Sequence, residues 1–154
     1  MNLKSIAFCA LLILAFIGPA FGQTNTTDWF AEGMSLYNQD RFEESVQAYD
    51  KALQNDPQDA EAWNNKGISL GILGRYSEAL VAFKKAVEIN SSYAEAWYNM
   101  GVIFDFQERY VEAIQAYNMA TQINPSYQKA WFKKNEDINI IGLANYLQLN
   151  KPPL

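Results

Sequence analysis

The sequence predicts an all-α fold, a ribbon of stacked helix pairs, on three observations. All four tryptophans, Trp29, Trp63, Trp97 and Trp131, stand 34 residues apart. Small and aromatic positions recur in the same frame: Gly33, Gly67 and Gly101, then Ser45, Ala79 and Ala113, then Tyr49, Phe83 and Tyr117, then Ala52, Ala86 and Ala120. Within one period the apolar residues fall at three- and four-residue steps, as in Trp97, Met100, Gly101 and Phe104, followed by Ile114, Tyr117, Ala120 and Thr121. That is the spacing of a helix with one buried stripe. A fixed period of this length, with two such segments in each unit, marks a solenoid whose neighbouring units bury one another's apolar faces.

The period divides the chain into repeats at 26–59, 60–93 and 94–127, each an antiparallel helix pair, then a degenerate unit over 128–150 and a tail at 151–154. Glycine inside a helix costs about 1 kcal/mol relative to alanine, so its recurrence at 33, 67 and 101 requires close approach of two helices. Asn55-Asp56-Pro57 and Asn124-Pro125 end second helices, and Glu61 and Glu95 suit the positive N-terminal ends of the helices that follow. The tryptophans are expected to pack between helices rather than to hold a ligand, because an indole removes a large apolar area from water. After Trp131, residues 132–137 are polar enough to face water as a cap. Residues 138–149 are apolar enough either to fold back as a further short helix or to serve dimerisation.

With Trp, Gly, Ala, Phe/Tyr, Ala and Pro in this order, the chain resembles the tetratricopeptide-repeat (TPR) family at sixteen of eighteen positions over three repeats. The departures are Ser45 for alanine and Ser91 for proline. Asn135 stands where a fourth repeat has glycine. The resemblance implies a right-handed superhelical solenoid of three helix-turn-helix repeats plus a C-terminal capping helix, and a protein that binds other proteins.

The N-terminus reads as a leader. Lys4 precedes an apolar run over residues 6–17, Gly18-Pro19 breaks it, and Ala20-Phe21-Gly22 offers small residues to a signal peptidase. Residues 1–22 are therefore expected to be a signal peptide, with an uncleaved N-terminal anchor as the alternative. The expected location is secreted or extracytoplasmic, in the periplasm or cell envelope. The sequons at Asn25 and Asn90 are candidate glycosylation sites, whereas proline blocks Asn124-Pro125-Ser126.

Composition narrows the function. There is no histidine, and the one cysteine, Cys9, lies in the leader, so neither a zinc site nor thiol or triad chemistry is expected, and no cofactor is implied. Without Lys4 the chain carries eleven basic against seventeen acidic residues, a formal −6 that repels phosphate backbones, so no nucleic-acid partner is expected. An enzyme would have only carboxylates such as Glu61 and Glu95, and these suit helix ends.

Binding is expected on the first helix of each repeat, which lines the concave side. The candidates are Phe30, Met34, Tyr37 and Asn38 in repeat one, Asn64, Asn65, Ile68 and Ile72 in repeat two, and Tyr98, Asn99, Val102, Asp105 and Phe106 in repeat three, with Lys133 after them. Asn65 and Asn99 stand at equivalent positions and resemble the asparagine ladder with which some family members hold a peptide backbone. The basic clamp that other members use for a C-terminal carboxylate is missing, since this chain has Phe30, Met34, Glu95 and Asn99 where it needs cations. The expected partner is a protein or peptide, bound by a monomer. Self-association through the groove or the apolar C-terminal segment is the alternative, and membrane contact is expected only through an uncleaved leader.

Overall fold

The computed structural model describes residues 28–142. The leader with Cys9, the Asn25 sequon and the segment from residue 143 onward lie outside the described residues. Seven helices follow one another: α1 (Trp29–Tyr37), α2 (Phe42–Asn55), α3 (Ala60–Ile72), α4 (Tyr76–Ile89), α5 (Ala94–Phe106), α6 (Tyr110–Ile123) and α7 (Gln128–Ile141). There is no strand among the described residues. Each helix packs mainly on the one before and the one after it, with lesser contacts between α1 and α3 and between α3 and α5, which is the connectivity of a superhelical solenoid.

Local chemistry sets each boundary and repeats with the frame. Asp28 and Asp59 cap α1 and α3, the Asp59 carboxylate accepting from the Glu61 and Ala62 amides at 2.9 Å. Between the two helices of a repeat the chain takes a left-handed residue at Asp40, Gly74 and Glu108, again 34 apart. An arginine follows each of these, and Arg41, Arg75 and Arg109 pair with Glu44, Glu78 and Glu112 in the first turn of the second helix. Between repeats, the side chains of Asp56, Asn90 and Asn124 each accept from the amide two residues on, closing the same tight turn three times.

The recurrent glycines have the reason the sequence required. A Cβ on Gly67 would lie 2.6 Å from Cε1 of Phe83, and Gly33 and Gly101 face Tyr49 and Tyr117 in the same way. These three rings are fully buried and form the spine of the core with Leu70 and Ile114. Ser45, the departure from alanine, is buried without penalty: its hydroxyl donates to the Gly33 carbonyl at 3.0 Å and lies 3.1 Å from the Ser69 hydroxyl.

The tryptophans hold the repeats together in a way that spacing alone did not reveal. The indole N–H of Trp63, Trp97 and Trp131 donates to the carbonyls of Pro57, Ser91 and Pro125, tying each first helix to the loop before it. Trp63 and Trp97 are half-buried against the core. Trp131 is 42% exposed, and the Lys134 ammonium lies 3.5 Å from its ring centroid.

One expectation about α7 is corrected. Residues 132–137 do not form a wholly water-facing surface: Lys134 is 8% exposed and Asp137 only 2%. The helix keeps the orientation of a first helix of a repeat, so every third or fourth residue turns inward whatever its polarity. Phe132, by contrast, is 70% exposed.

Candidate partner-binding groove

The first helices α1, α3 and α5 lie side by side, and two depressions open where they meet. One, of about 180 Å³, is lined by Met34, Tyr37, Asn38, Tyr49, Asn65 and Ile68. The other, of about 340 Å³, is lined by Ile68, Gly71, Ile72, Tyr76, Phe83, Asn99, Val102, Ile103 and Phe106. Ile68 belongs to both, so the two depressions adjoin as one apolar trough divided at that side chain. Met34, Ile72 and Phe106 remain exposed on its walls, an unusual arrangement for a surface that meets only water.

Nine of the sequence candidates thus line the trough: Met34, Tyr37, Asn38, Asn65, Ile68, Ile72, Asn99, Val102 and Phe106. The other five have different surroundings. Phe30 meets the Tyr49 ring edge-on at 5.9 Å. Tyr98 lies between the rings of Tyr117 and Tyr127, at 5.6 and 5.1 Å. Asp105 accepts from the Tyr117 hydroxyl at 2.7 Å, and Lys133 donates to Glu136 at 2.9 Å.

Asn64 is a correction: it is 1% exposed and presents nothing to a partner. It stands next to the trough residue Asn65 but is turned into the α3–α5 contact, where its carbonyl oxygen accepts from the Asn99 amide at 3.0 Å and its own amide donates to Asn65 Oδ1 at 3.3 Å. Asn64 therefore links the two equivalent asparagines. What remains outside these bonds is the Asn65 amide group and the Asn99 carbonyl oxygen, one donor and one acceptor on adjacent helices.

The linings also include Tyr49, Gly71, Tyr76, Phe83 and Ile103, which the sequence reading did not name among the groove residues, and of these Tyr76 extends the wall. Its ring stacks on Phe106, 5.8 Å between centroids and 8° from parallel, so the first residue of α4 closes the end of the trough. The recurrence of an aromatic at Phe42, Tyr76 and Tyr110 was its only sequence signal.

Beyond the trough a buried carboxyl pair joins α5 to α7. Asp105 Oδ1 and Asp137 Oδ2 are both shut off from solvent. Burial pushes the Asp137 carboxyl up to about 7, and its hydrogen bond with Asp105 and that neighbour's charge push the same way. Asp137 thus holds a proton well above the usual carboxylate range. Burial and the hydrogen bond to Asp105 likewise raise Tyr117. Among the described residues no cluster of three or more acidic, cysteine or histidine residues could hold a metal ion.

Models of the tetratricopeptide repeat match residues 30–94 and 94–127, and the chain belongs to that family. No curated protein matches it in sequence. Among solved structures it is similar to MamA, with a TM-score of 0.73 and 22% identity over 77% of this chain and 69% of that one. It is also similar to the first TPR domain of Spaghetti (RPAP3) bound to the HSP90 peptide SRMEEVD, with a TM-score of 0.71 and 19% identity over 73% and 90% of the two chains. A third is YrrB, described as a TPR protein with an unusual peptide-binding site, with a TM-score of 0.67 and 25% identity over 70% of this chain and 55% of that one. The fold is that of an interaction module.

Proposed function

We propose that this chain is an extracytoplasmic scaffold that holds a peptide or partner segment in the trough formed by α1, α3 and α5. The observation that carries the reading is the pair of adjoining apolar depressions with Asn65 on the wall of one and Asn99 on the wall of the other. Apolar side chains of a guest leave water in the depressions, while the two amides supply a donor and an acceptor for its backbone. The solved TPR domain of Spaghetti with an HSP90 peptide lends the reading support by analogy of fold. The test is affinity capture with the chain and with an N65A/N99A double variant whose folding is checked by circular dichroism. A partner retained equally by both would refute a site on these walls.

The extracytoplasmic location rests on the leader at residues 1–22 and on the sequons. Asn90 is exposed in the turn between α4 and α5. Mass spectrometry of the mature protein reads cleavage after Gly22 and any glycan together. Since the positions for a carboxylate clamp hold Phe30, Met34, Glu95 and Asn99, a peptide ending in a free carboxylate should bind no better than its amide. Loss of binding on amidation would overturn that.

Self-association is a second reading, favoured by the exposed Trp131, Phe132 and Ile140 on α7. Light scattering over a dilution series decides it, and a monomer at every concentration excludes it.

A further inference from the structure

The groove faces of α3 and α5 carry the same four kinds of side chain in the same order. Glu61, Asn65, Ile68 and Ile72 follow one another along α3, and Glu95, Asn99, Val102 and Phe106 repeat the steps along α5. Steps of four, three and four keep all four residues on one face of a helix. Side by side, the two helices therefore present three parallel rows: glutamates, asparagines and apolar side chains. At 1.5 Å per residue the glutamate row runs about 6 Å to one side of the asparagines, and the apolar row about 5–10 Å to the other.

The acidic row has no counter-charge of its own. Glu61 and Glu95 are exposed and form no ion pair among the described residues, and Glu61 is close enough to the groove-wall Tyr49 for its charge to help raise that phenol. The cations of the described residues are largely committed elsewhere. Arg41, Arg75 and Arg109 bind the glutamates three residues on, Lys66 pairs with Asp50, and Lys85 with Glu88. Lys51 and Lys134 lie over the Trp29 and Trp131 rings. On α7 the glutamate-row position is Lys129, so the sign of that row reverses at the last helix, and Lys133 stands in the asparagine row.

An extended strand sends successive side chains to opposite sides of its backbone, with the reach that these row separations require. We propose that the groove selects an extended segment in which basic and bulky apolar side chains alternate. Its backbone lies over Asn65 and Asn99, its cations turn toward Glu61 and Glu95, and its apolar side chains fill the depressions at Ile68, Ile72 and Phe106. The cationic stretch sits over α3 and α5 and stops short of α7. The inference rests on the groove being the binding site, and the test separates the two.

Three capped, fluorescein-labelled ten-residue peptides serve as probes: alternating Arg and Leu, alternating Glu and Leu, and alternating Arg and Ser. Fluorescence anisotropy with the purified protein should show binding of the Arg/Leu peptide alone. The E61Q/E95Q variant should weaken it about three- to tenfold, with the effect shrinking in high salt. An E32Q/E43Q control, which removes exposed acids off the row, should leave it unchanged. Equal binding of the Glu/Leu peptide that is lost in N65A/N99A would overturn the charge preference and leave the groove reading standing. Arg/Leu binding indifferent to both N65A/N99A and I72S would place the site elsewhere and overturn both. Failure of all three peptides to bind, or indifference to E61Q/E95Q, overturns the inference.

Discussion

Replacing Gly67 by alanine sets two effects of known size against each other. In an open helix the change stabilises by about 1 kcal/mol, because alanine is the better helix former. Here the new Cβ would sit 2.6, 2.8 and 2.9 Å from Cε1, Cδ1 and Cζ of Phe83, whereas ordinary contact begins at 3.4 Å. The ring is 1% exposed and enclosed by Ala79, Ala82 and Ile103, so it cannot swing away and the two helices must separate. Overpacking of this kind costs about 1–3 kcal/mol and outweighs the propensity gain. The net expectation is a loss of about 1 kcal/mol, with a fall in Tm of roughly 3–6 °C for a domain of this size. Urea denaturation followed by circular dichroism at 222 nm measures it. The control is the same substitution in a Phe83→Leu background, where the branched side chain leaves room and the alanine should be neutral or stabilising. If Gly67→Ala alone raises stability, close helix approach is not why glycine recurs at this position.

Three further outcomes are expected. Because the folded Asp137 carboxyl is raised to about 7 from 3.8, the folded state holds its proton more tightly than the unfolded chain; that contribution is complete below about pH 4, declines as pH rises to about 7 and is absent above, so urea midpoints should drop between about pH 4 and 7 in wild type and change less in Asp137→Asn. Ser45→Ala leaves the buried Ser69 hydroxyl without one partner and should cost about 1 kcal/mol, while Ser45→Ala/Ser69→Ala removes both and should cost less than the sum of the single changes, read by the same denaturation in a double-mutant cycle. Trp63→Phe keeps most of the apolar area but loses the donor to the Pro57 carbonyl, and should lower stability by about 1 kcal/mol in the same assay.

The helix pairs were legible in the sequence because period, spacing and turn residues agree: the indoles at 34-residue intervals, the recurrent glycines that the structure sets against Tyr49, Phe83 and Tyr117, and the turns at Asp56 and Asn124. The walls of the groove were legible for the same reason, since a helical face is fixed by spacing. What escaped depends on neighbours far away in the chain. Asn64 stands one residue off the face shared by Glu61, Asn65, Ile68 and Ile72, and its full burial depends on the Asn99 amide, 35 residues on, which draws it inward. The burial of Lys134 and Asp137 depends on contacts with Trp131 and Asp105, which a polarity reading of residues 132–137 cannot supply.

Because every helix leans chiefly on its immediate neighbours, the molecule resembles a short row of books more than a ball. Slack at α7 need not reach α1, so the two ends of the row can loosen independently. A guest laid across α3 and α5 acts as a splint on the middle volumes, and protection of backbone amides from exchange should grow outward from there.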